Sequence, residues 1–287
     1  MTTTPVDIFV SVEAMRAQVA AWRSDGARIA VVPTMGFLHR AHIALIEAAR
    51  AECDRIIVTI FVNPRQFGEN EDFAAYPRDL DGDLAQIRDA GADVAFVPEI
   101  SEMYPAGFAT TVTVDGLTDT LCGAARPGHF TGVSTVVTKL LLQCQADDAM
   151  FGEKDYQQLL VVRRLVQDLH IPTQICAVPT VREADGLAIS SRNVKLAPDQ
   201  RAQAPALYRA LRAAAEAIRG GAAVAGAQAE GARALVAAGF DRVDYFEVRD
   251  AETLVSVTEN RGAARVFAAA WFGEVRLIDN IAINDSD

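Results

Sequence analysis

Several familiar constructions are missing from this chain, and each absence narrows its function. There is no Gly-x-Gly-x-x-Gly and no Walker-type glycine–lysine loop, so any nucleotide phosphate has to be held in another way. Lysine is scarce: Lys139, Lys154 and Lys195 stand among 27 basic residues. The four cysteines, Cys53, Cys122, Cys144 and Cys176, are widely scattered. That spacing gives neither paired metal ligands nor a disulfide framework, and it fits reduced thiols in the cytoplasm. No apolar run reaches the length of a membrane span, and Met1-Thr-Thr-Thr-Pro5 lacks the basic start of a secretory signal. A basic excess is absent too. The net charge of −11 argues against nucleic acid as a partner, because a phosphate backbone needs a cationic footprint. A single nucleotide needs only a local positive pocket.

The 287 residues, 51% hydrophobic and 23% charged, fit a globular chain of about two domains. Strand-like runs fall at 28–33, 55–62, 93–97, 110–114, 148–151 and 174–178. Helical patterns lie between several of them, at 12–23, 42–52, 79–90, 132–143 and 156–168. Alternation of this kind predicts βαβ units and a parallel sheet. The texture changes after Pro198. Alanine-rich helical segments at 199–219 and 223–238 precede strand-like runs at 243–248, 264–272 and 275–283. The expected class is α/β, with a parallel-sheet domain over 1–180 and a smaller α+β domain over 181–287.

Polar residues gather where the apolar runs stop. Strand 28–33 ends at Pro33, Met35 and Gly36, and His39 and His42 follow as a helix begins. Side chains three apart at a helix start share one face. Both imidazoles are therefore expected above the strand's carboxyl end, where open α/β sheets bind ligands and free helix N–H groups favour anions. The second strand ends in Asn63, Pro64 and Gln66; the amides suit a small substrate with hydroxyl and carboxylate groups, and Asn63–Pro64 also fits a simple Asx turn. Arg126-Pro-Gly-His129 precedes another helix. In Gly152-Glu-Lys-Asp155, Lys154 sits where a flexible cation reaches phosphates, Asp155 suits a ribose hydroxyl, and Gln158 lies further along the same face. Ser190, Ser191 and Arg192, at the expected domain boundary, suit a polyphosphate gripped by a closing hinge. Asp79, Asp81 and Asp83 are available acids for a cation, although magnesium often rides on phosphates with its waters.

In motif order and spacing, residues 29–193 resemble the pantothenate synthetase family, ligases that join pantoate to β-alanine with ATP. The resemblance rests on Pro33–Gly36 with His39 and His42, Phe61–Pro64 with Gln66, and Tyr76-Pro-Arg78. It continues through Arg126–Phe130, Gly152–Gln158, Asp185-Gly186 and Ser190–Asn193. It implies a Rossmann-like first domain, a lid-like second domain, a homodimer, and ATP with magnesium. By position it implies that Met35, Gly36, His39, His42, Gly152, Lys154, Asp155, Val181, Ser190, Ser191 and Arg192 bind ATP. His39, His42, Lys154 and Arg192 would stabilise the charge of the reaction, while Gln66, Gln158, Asn63, Arg126 and His129 would hold pantoate and β-alanine. The magnesium ligands are not implied. Two positions depart from the family pattern. Ala41 replaces the glycine of His-x-Gly-His, adding a methyl where adenine approaches the backbone, and Thr131 stands where arginine is frequent. The histidine motif by itself also fits the wider nucleotidyltransferase superfamily, including class I aminoacyl-tRNA synthetases. A related transferase acting on another small substrate and a silent nucleotide-binding protein are the alternatives; release of free AMP and pyrophosphate separates them from the ligase.

Overall fold

The computed structural model describes residues 6–68, 73–259 and 262–284, and the chain divides into two compact units. The first comprises Met1–Asp115, Arg126–Glu153 and Gln158–Pro179. The second comprises Gly116–Ala125, Lys154–Gln157 and Thr180–Asp287. The chain therefore contributes two short early segments to the second unit before passing into it at Thr180.

Up to residue 178 the elements run β1 (Asp7–Phe9), α1 (Val12–Ser24), β2 (Ile29–Thr34), α2 (Arg40–Glu52), β3 (Arg55–Ile60), α3 (Leu80–Ala90), β4 (Val94–Phe96) and α4 (Ile100–Met103). They continue with α5 (Leu121–Ala125), α6 (His129–Cys144), β5 (Asp148–Gly152), α7 (Tyr156–Asp168) and β6 (Gln174–Val178). Six strands pair in the order β1-β4-β3-β2-β5-β6, every pair parallel. Ile29, Ala30, Val31 and Val32 of β2 are all fully buried, as expected of a central strand covered on both faces. On one face Ala30, Val32 and Val58 pack with Ile46 of α2 and Ile87 of α3. Each of the larger side chains contributes about 1.5–3 kcal/mol by leaving water. Strand order reverses between β2 and β5, which makes their carboxyl ends the switch point where such sheets take ligands.

Two expectations need correction. Segment 110–114 forms no strand; its Val112 N–H goes instead to Thr135 Oγ1 of α6 at 3.0 Å. The edge strand is β1, three residues long with Ile8 half-exposed, too short to show a period. The expected helix over 199–219 is two, α8 (Pro198–Gln203) and α9 (Ala206–Arg219). Pro205 lies at the break, where it has no N–H to donate and its ring crowds the preceding turn.

The second unit adds α10 (Val224–Ala237), β7 (Arg242–Asp250), β8 (Ala264–Phe272) and β9 (Val275–Ala282), the strands forming an antiparallel sheet in sequence order. Leu207, Ala210, Leu211, Ala214 and Ile218 line the buried stripe of α9 at helical spacing. They join a separate core with Val266, Ala268 and Ala270 of β8.

Candidate active site

The turn after β2 is locked from below. Gly36 has φ +77°, and a Cβ there would lie 2.9 Å from Asp83 Oδ2 and 3.0 Å from Ile60 Cγ2, so glycine is required on both counts. Thr34 Oγ1 accepts the Gly36 N–H at 3.1 Å and donates to Thr59 O at 2.6 Å. Asp83 of α3, buried, accepts the N–H groups of Phe37 at 2.8 Å and Leu38 at 2.6 Å. Burial pushes its carboxyl above the ordinary range; the N–H groups of Leu38 and Phe37 partly offset this, and nearby Asp79 adds to it. Asp83 is therefore a strut of the turn. Asp79 caps α3 by accepting the Gly82 N–H. Among the described residues no group of three His, Cys, Asp or Glu side chains is arranged to hold a metal ion.

His39 ends this turn as the residue capping α2. Its N–H donates to His42 Nδ1 at 3.3 Å, and the two rings stack with centroids 4.0 Å apart. Because Nδ1 accepts, a neutral His42 carries its proton on Nε2. The histidine thus offers an N–H donor at a helix N-terminus, a place suited to anions.

Beside it, the turn Pro64–Gln66 after β3 forms a corner of neutral amides. Gln66 Nε2 donates to Met35 Sδ at 2.9 Å. Asn63, buried, donates to Gln66 Oε1 and to Gly132 O, both at 3.1 Å, and accepts from the Arg65 N–H at 3.2 Å and Tyr104 Oη–H at 2.8 Å. Both amide hydrogens and both lone pairs of Asn63 are thereby taken. Burial pushes the Tyr104 phenol up to about 12 against the opposing pull of Arg65, so it remains a donor. Helix α6 comes close enough for this only because residue 132 is glycine: a Cβ would lie 2.1 Å from Arg65 O and 2.6 Å from Gln66 N. Arg126 Nη1 bonds His129 Nε2 at 3.0 Å, and His129 Nδ1 bonds Gln66 O at 2.8 Å. Arginine only donates, so His129 accepts at Nε2 and donates from Nδ1.

Met35, Gly36, His39, His42, Asn63, Gln66, Arg126 and His129 thus share one neighbourhood of the first unit. Gly152, at the end of β5, and Gln158, on α7, belong to the same unit. Lys154, Asp155, Val181, Ser190, Ser191 and Arg192 belong to the second. There Lys154 Nζ lies 3.6 Å from Asp155 Oδ2, and Lys154 O accepts from Asn280 Nδ2 of β9 at 3.0 Å. The neighbouring Asp279, buried, binds Arg182 through both oxygens at 2.6 and 3.0 Å. Arg182 also reaches Gly186 O at 3.2 Å and lies 3.8 Å over the Tyr208 ring. Val181 O accepts the Ile189 N–H at 3.0 Å, closing the loop that carries the next hydroxyls. Ser190 Oγ accepts the Arg192 N–H at 3.3 Å and keeps its hydroxyl hydrogen for another acceptor.

The family described as pantoate-beta-alanine ligase matches residues 7–282. This chain belongs to that family. The pantothenate synthetase of Paramagnetospirillum magneticum is 54% identical over 281 residues, covering 98% of this chain and 99% of the relative. That of Moorella thermoacetica is 49% identical over 285 residues, with 98% and 100% covered. Among solved structures, pantothenate synthetase from Thermus thermophilus superposes with a TM-score of 0.93 at 49% identity, covering 98% of this chain and 100% of that one. The pantoate-beta-alanine ligase of Francisella tularensis, complexed with beta-gamma ATP and beta-alanine, gives 0.82 at 33% identity, with 98% and 99% covered. Membership makes the chain a carbon–nitrogen ligase. Among the described residues, no helix is long and apolar enough to cross a membrane.

The candidate site rests on residues to which the sequence reading gave no supporting role. Asp83 had a visible signal: it shares the buried face of α3 with Ile87, one turn on. Tyr104, Gly132, Asp279 and Asn280 carry none, because each acts through a partner distant in sequence.

Proposed function

We propose that this chain condenses pantoate with β-alanine at the expense of ATP, through a pantoyl adenylate. ATP enters as its magnesium complex, the cation held by the phosphates. A pantoate carboxylate oxygen attacks the α-phosphorus and pyrophosphate leaves. The uncharged amine of β-alanine then attacks the acyl carbon, AMP leaves, and the amine's surplus proton passes to solvent.

The observation that carries this reading is the contact between Gln66 Nε2 and Met35 Sδ at 2.9 Å. It joins the amide corner suited to pantoate with the histidine turn suited to the nucleotide, so a carboxylate held by one sits beside a phosphate held by the other. Gln66 and Gln158 hold pantoate, Asn63 and His129 orient Gln66, and Arg126 supplies positive charge near the carboxylate. His39, His42, Lys154, Ser190, Ser191 and Arg192 donate to the α-phosphate and departing pyrophosphate as their charge grows; Met35, Gly36, Gly152, Asp155 and Val181 seat the nucleoside. Catalysis is then positioning plus prearranged donors, with no covalent enzyme intermediate. We further propose that the enzyme is a cytoplasmic homodimer, to be checked by cell fractionation and by sedimentation.

The test supplies ATP and pantoate without β-alanine. A pantoyl adenylate should be detected by mass, with pantoate-dependent exchange of labelled pyrophosphate into ATP. His42→Ala and Lys154→Ala should each slow exchange by about 10²–10³ with unfolding unchanged. Wild-type exchange rates in both variants would overturn the phosphate assignment, and the absence of any adenylate would overturn the reaction.

A further inference from the structure

The four cysteines sit in three electrostatic settings. Cys144 is fully buried, and burial pushes its thiol up to about 12. Cys53 and Cys176 face one carboxylate, with sulfur 3.1 and 3.7 Å from the two oxygens of Asp148. Burial, then Asp148, push Cys53 up to about 12 and raise Cys176 too. The guanidinium beside them, that of Arg28, is already committed to both oxygens of that carboxylate at 2.6 and 3.0 Å, so an anion formed at either sulfur would compete with Asp148 for it.

Cys122, in α5, faces the opposite sign. Arg276 Nη1 of β9 donates to its sulfur at 3.3 Å, and Tyr245 Oη of β7 lies 3.1 Å away. Burial first, then Cys122, push the Tyr245 phenol well above its ordinary value, which keeps its proton available. Arg276 is only 10% exposed, and its Nε binds Asp244 Oδ2 at 2.8 Å. That carboxylate is shared: Arg242 lies 3.2 Å and Trp271 Nε1 2.8 Å from its other oxygen. Two guanidinium groups on one carboxylate leave the cluster a surplus of positive charge. Moreover, Arg276 Nη2 is enclosed without a hydrogen-bond partner among the described residues. A buried charged donor left unmatched is costly and points to an acceptor still to arrive.

We propose that Cys122 is an oxidation site, and that its sulfinate is the anion Arg276 and Tyr245 are arranged to hold. The oxidant is a hydroperoxide. The thiolate sulfur attacks one peroxide oxygen, the O–O bond breaks, and hydroxide leaves and takes up the thiol's proton as water. Sulfur is oxidised by two electrons to the sulfenic acid as the peroxide is reduced to water; a second equivalent of peroxide gives the sulfinic acid and a second water, and the acid's proton passes to solvent to leave the sulfinate. Its two oxygens match the fork of a guanidinium, so one of them satisfies Nη2 while the other keeps the bond to Nη1.

Hydrogen peroxide is titrated into the full-length protein, and each cysteine peptide is followed by mass spectrometry. In the wild type, the two-oxygen form should build up at Cys122 about tenfold faster than at Cys53, Cys144 or Cys176, the factor of one charge-assisted hydrogen bond. Arg276→Gln should remove that lead, and Tyr245→Phe, which keeps the ring, should reduce it. The wild-type order decides the matter even if Arg276→Gln does not fold. Oxidation of Cys53 or Cys176 ahead of Cys122 would overturn the proposal, as would an undiminished lead in a folded Arg276→Gln protein.

Discussion

The two ends of the six-stranded sheet carry polar groups of opposite kinds. At the amino ends, carboxylates close on guanidinium groups and on the first N–H groups of the strands. Arg28 grips Asp148 at 2.6 and 3.0 Å. Asp147 takes the Ile29 N–H at 2.9 Å and Arg23 at 3.0 Å. Asp93 takes the Ile56 N–H and Arg55, both at 2.9 Å. Charge there is matched internally and holds strand starts in place. At the carboxyl ends, amides, imidazoles and a phenol bond one another, with Asp83 as the buried acid beneath them. Neutral groups can be locked in position and still present donors, whereas a matched ion pair must be broken before it can receive a substrate. One end is closed on itself; the other is the end at which we propose that anions bind.

The largest expected break in that contrast is Gly132→Ala. Its Cβ, 2.1 Å from Arg65 O, forces α6 and the Pro64–Gln66 turn apart. We expect a loss of about 1–3 kcal/mol, as for other overpacking changes, and a pantoate KM raised far more than the ATP KM. Asp148→Asn should lower stability while leaving both KM values near wild type. Thermal unfolding and steady-state kinetics on the two variants check this; an unchanged pantoate KM in Gly132→Ala would remove the corner from the substrate site.

Tyr104→Phe is a gentler version of the same comparison. It keeps the ring beside Phe108 and Arg65 but deletes the donor to Asn63 Oδ1. The expected cost is about 0.5–1.5 kcal/mol, that of one buried hydrogen bond, with a modest rise in the pantoate KM and no change in that for ATP. Equal rises for both substrates would mean that Asn63 steadies the whole site instead of Gln66 alone.

How much of this was legible from the amino acids follows from distance along the chain. The parallel sheet could be read because β2, β3, β5 and β6 are apolar runs that stop at polar turns, and their ends marked His39, His42, Asn63, Gln66 and Gly152. The short edge strand β1 and the break at Pro205 were missed, the first because three residues show no period. Gly132 lies inside an apolar helix and says nothing of Arg65, 67 positions earlier. Asp83 was read as a free acid beside Asp79 and Asp81, since nothing local reveals the two N–H groups it accepts from another loop. Local pattern located the ends of the strands; the supports beneath them are long-range pairs.

The smallest effect compares two buried aspartates with opposite titration. Burial raises Asp148, but the hydrogen bonds from Arg28 and Cys53 and the attraction of Arg28 outweigh it, leaving its carboxyl below the ordinary value. Its contribution to stability is therefore present above about pH 4, the unfolded value, and lost as pH falls through the lower folded one. Asp83 is raised, so its contribution is present below about pH 4 and lost as pH climbs through its higher folded value. Denaturant unfolding of wild type, Asp148→Asn and Asp83→Asn across this range should show the wild-type advantage over Asp148→Asn growing with pH. The advantage over Asp83→Asn should shrink over the same interval. Slopes of the same sign would mean that the two N–H groups from Phe37 and Leu38 fully compensate the burial of Asp83, and the acid beneath the histidine turn would then stabilise the ionised form, as Arg28 does for Asp148 at the opposite end.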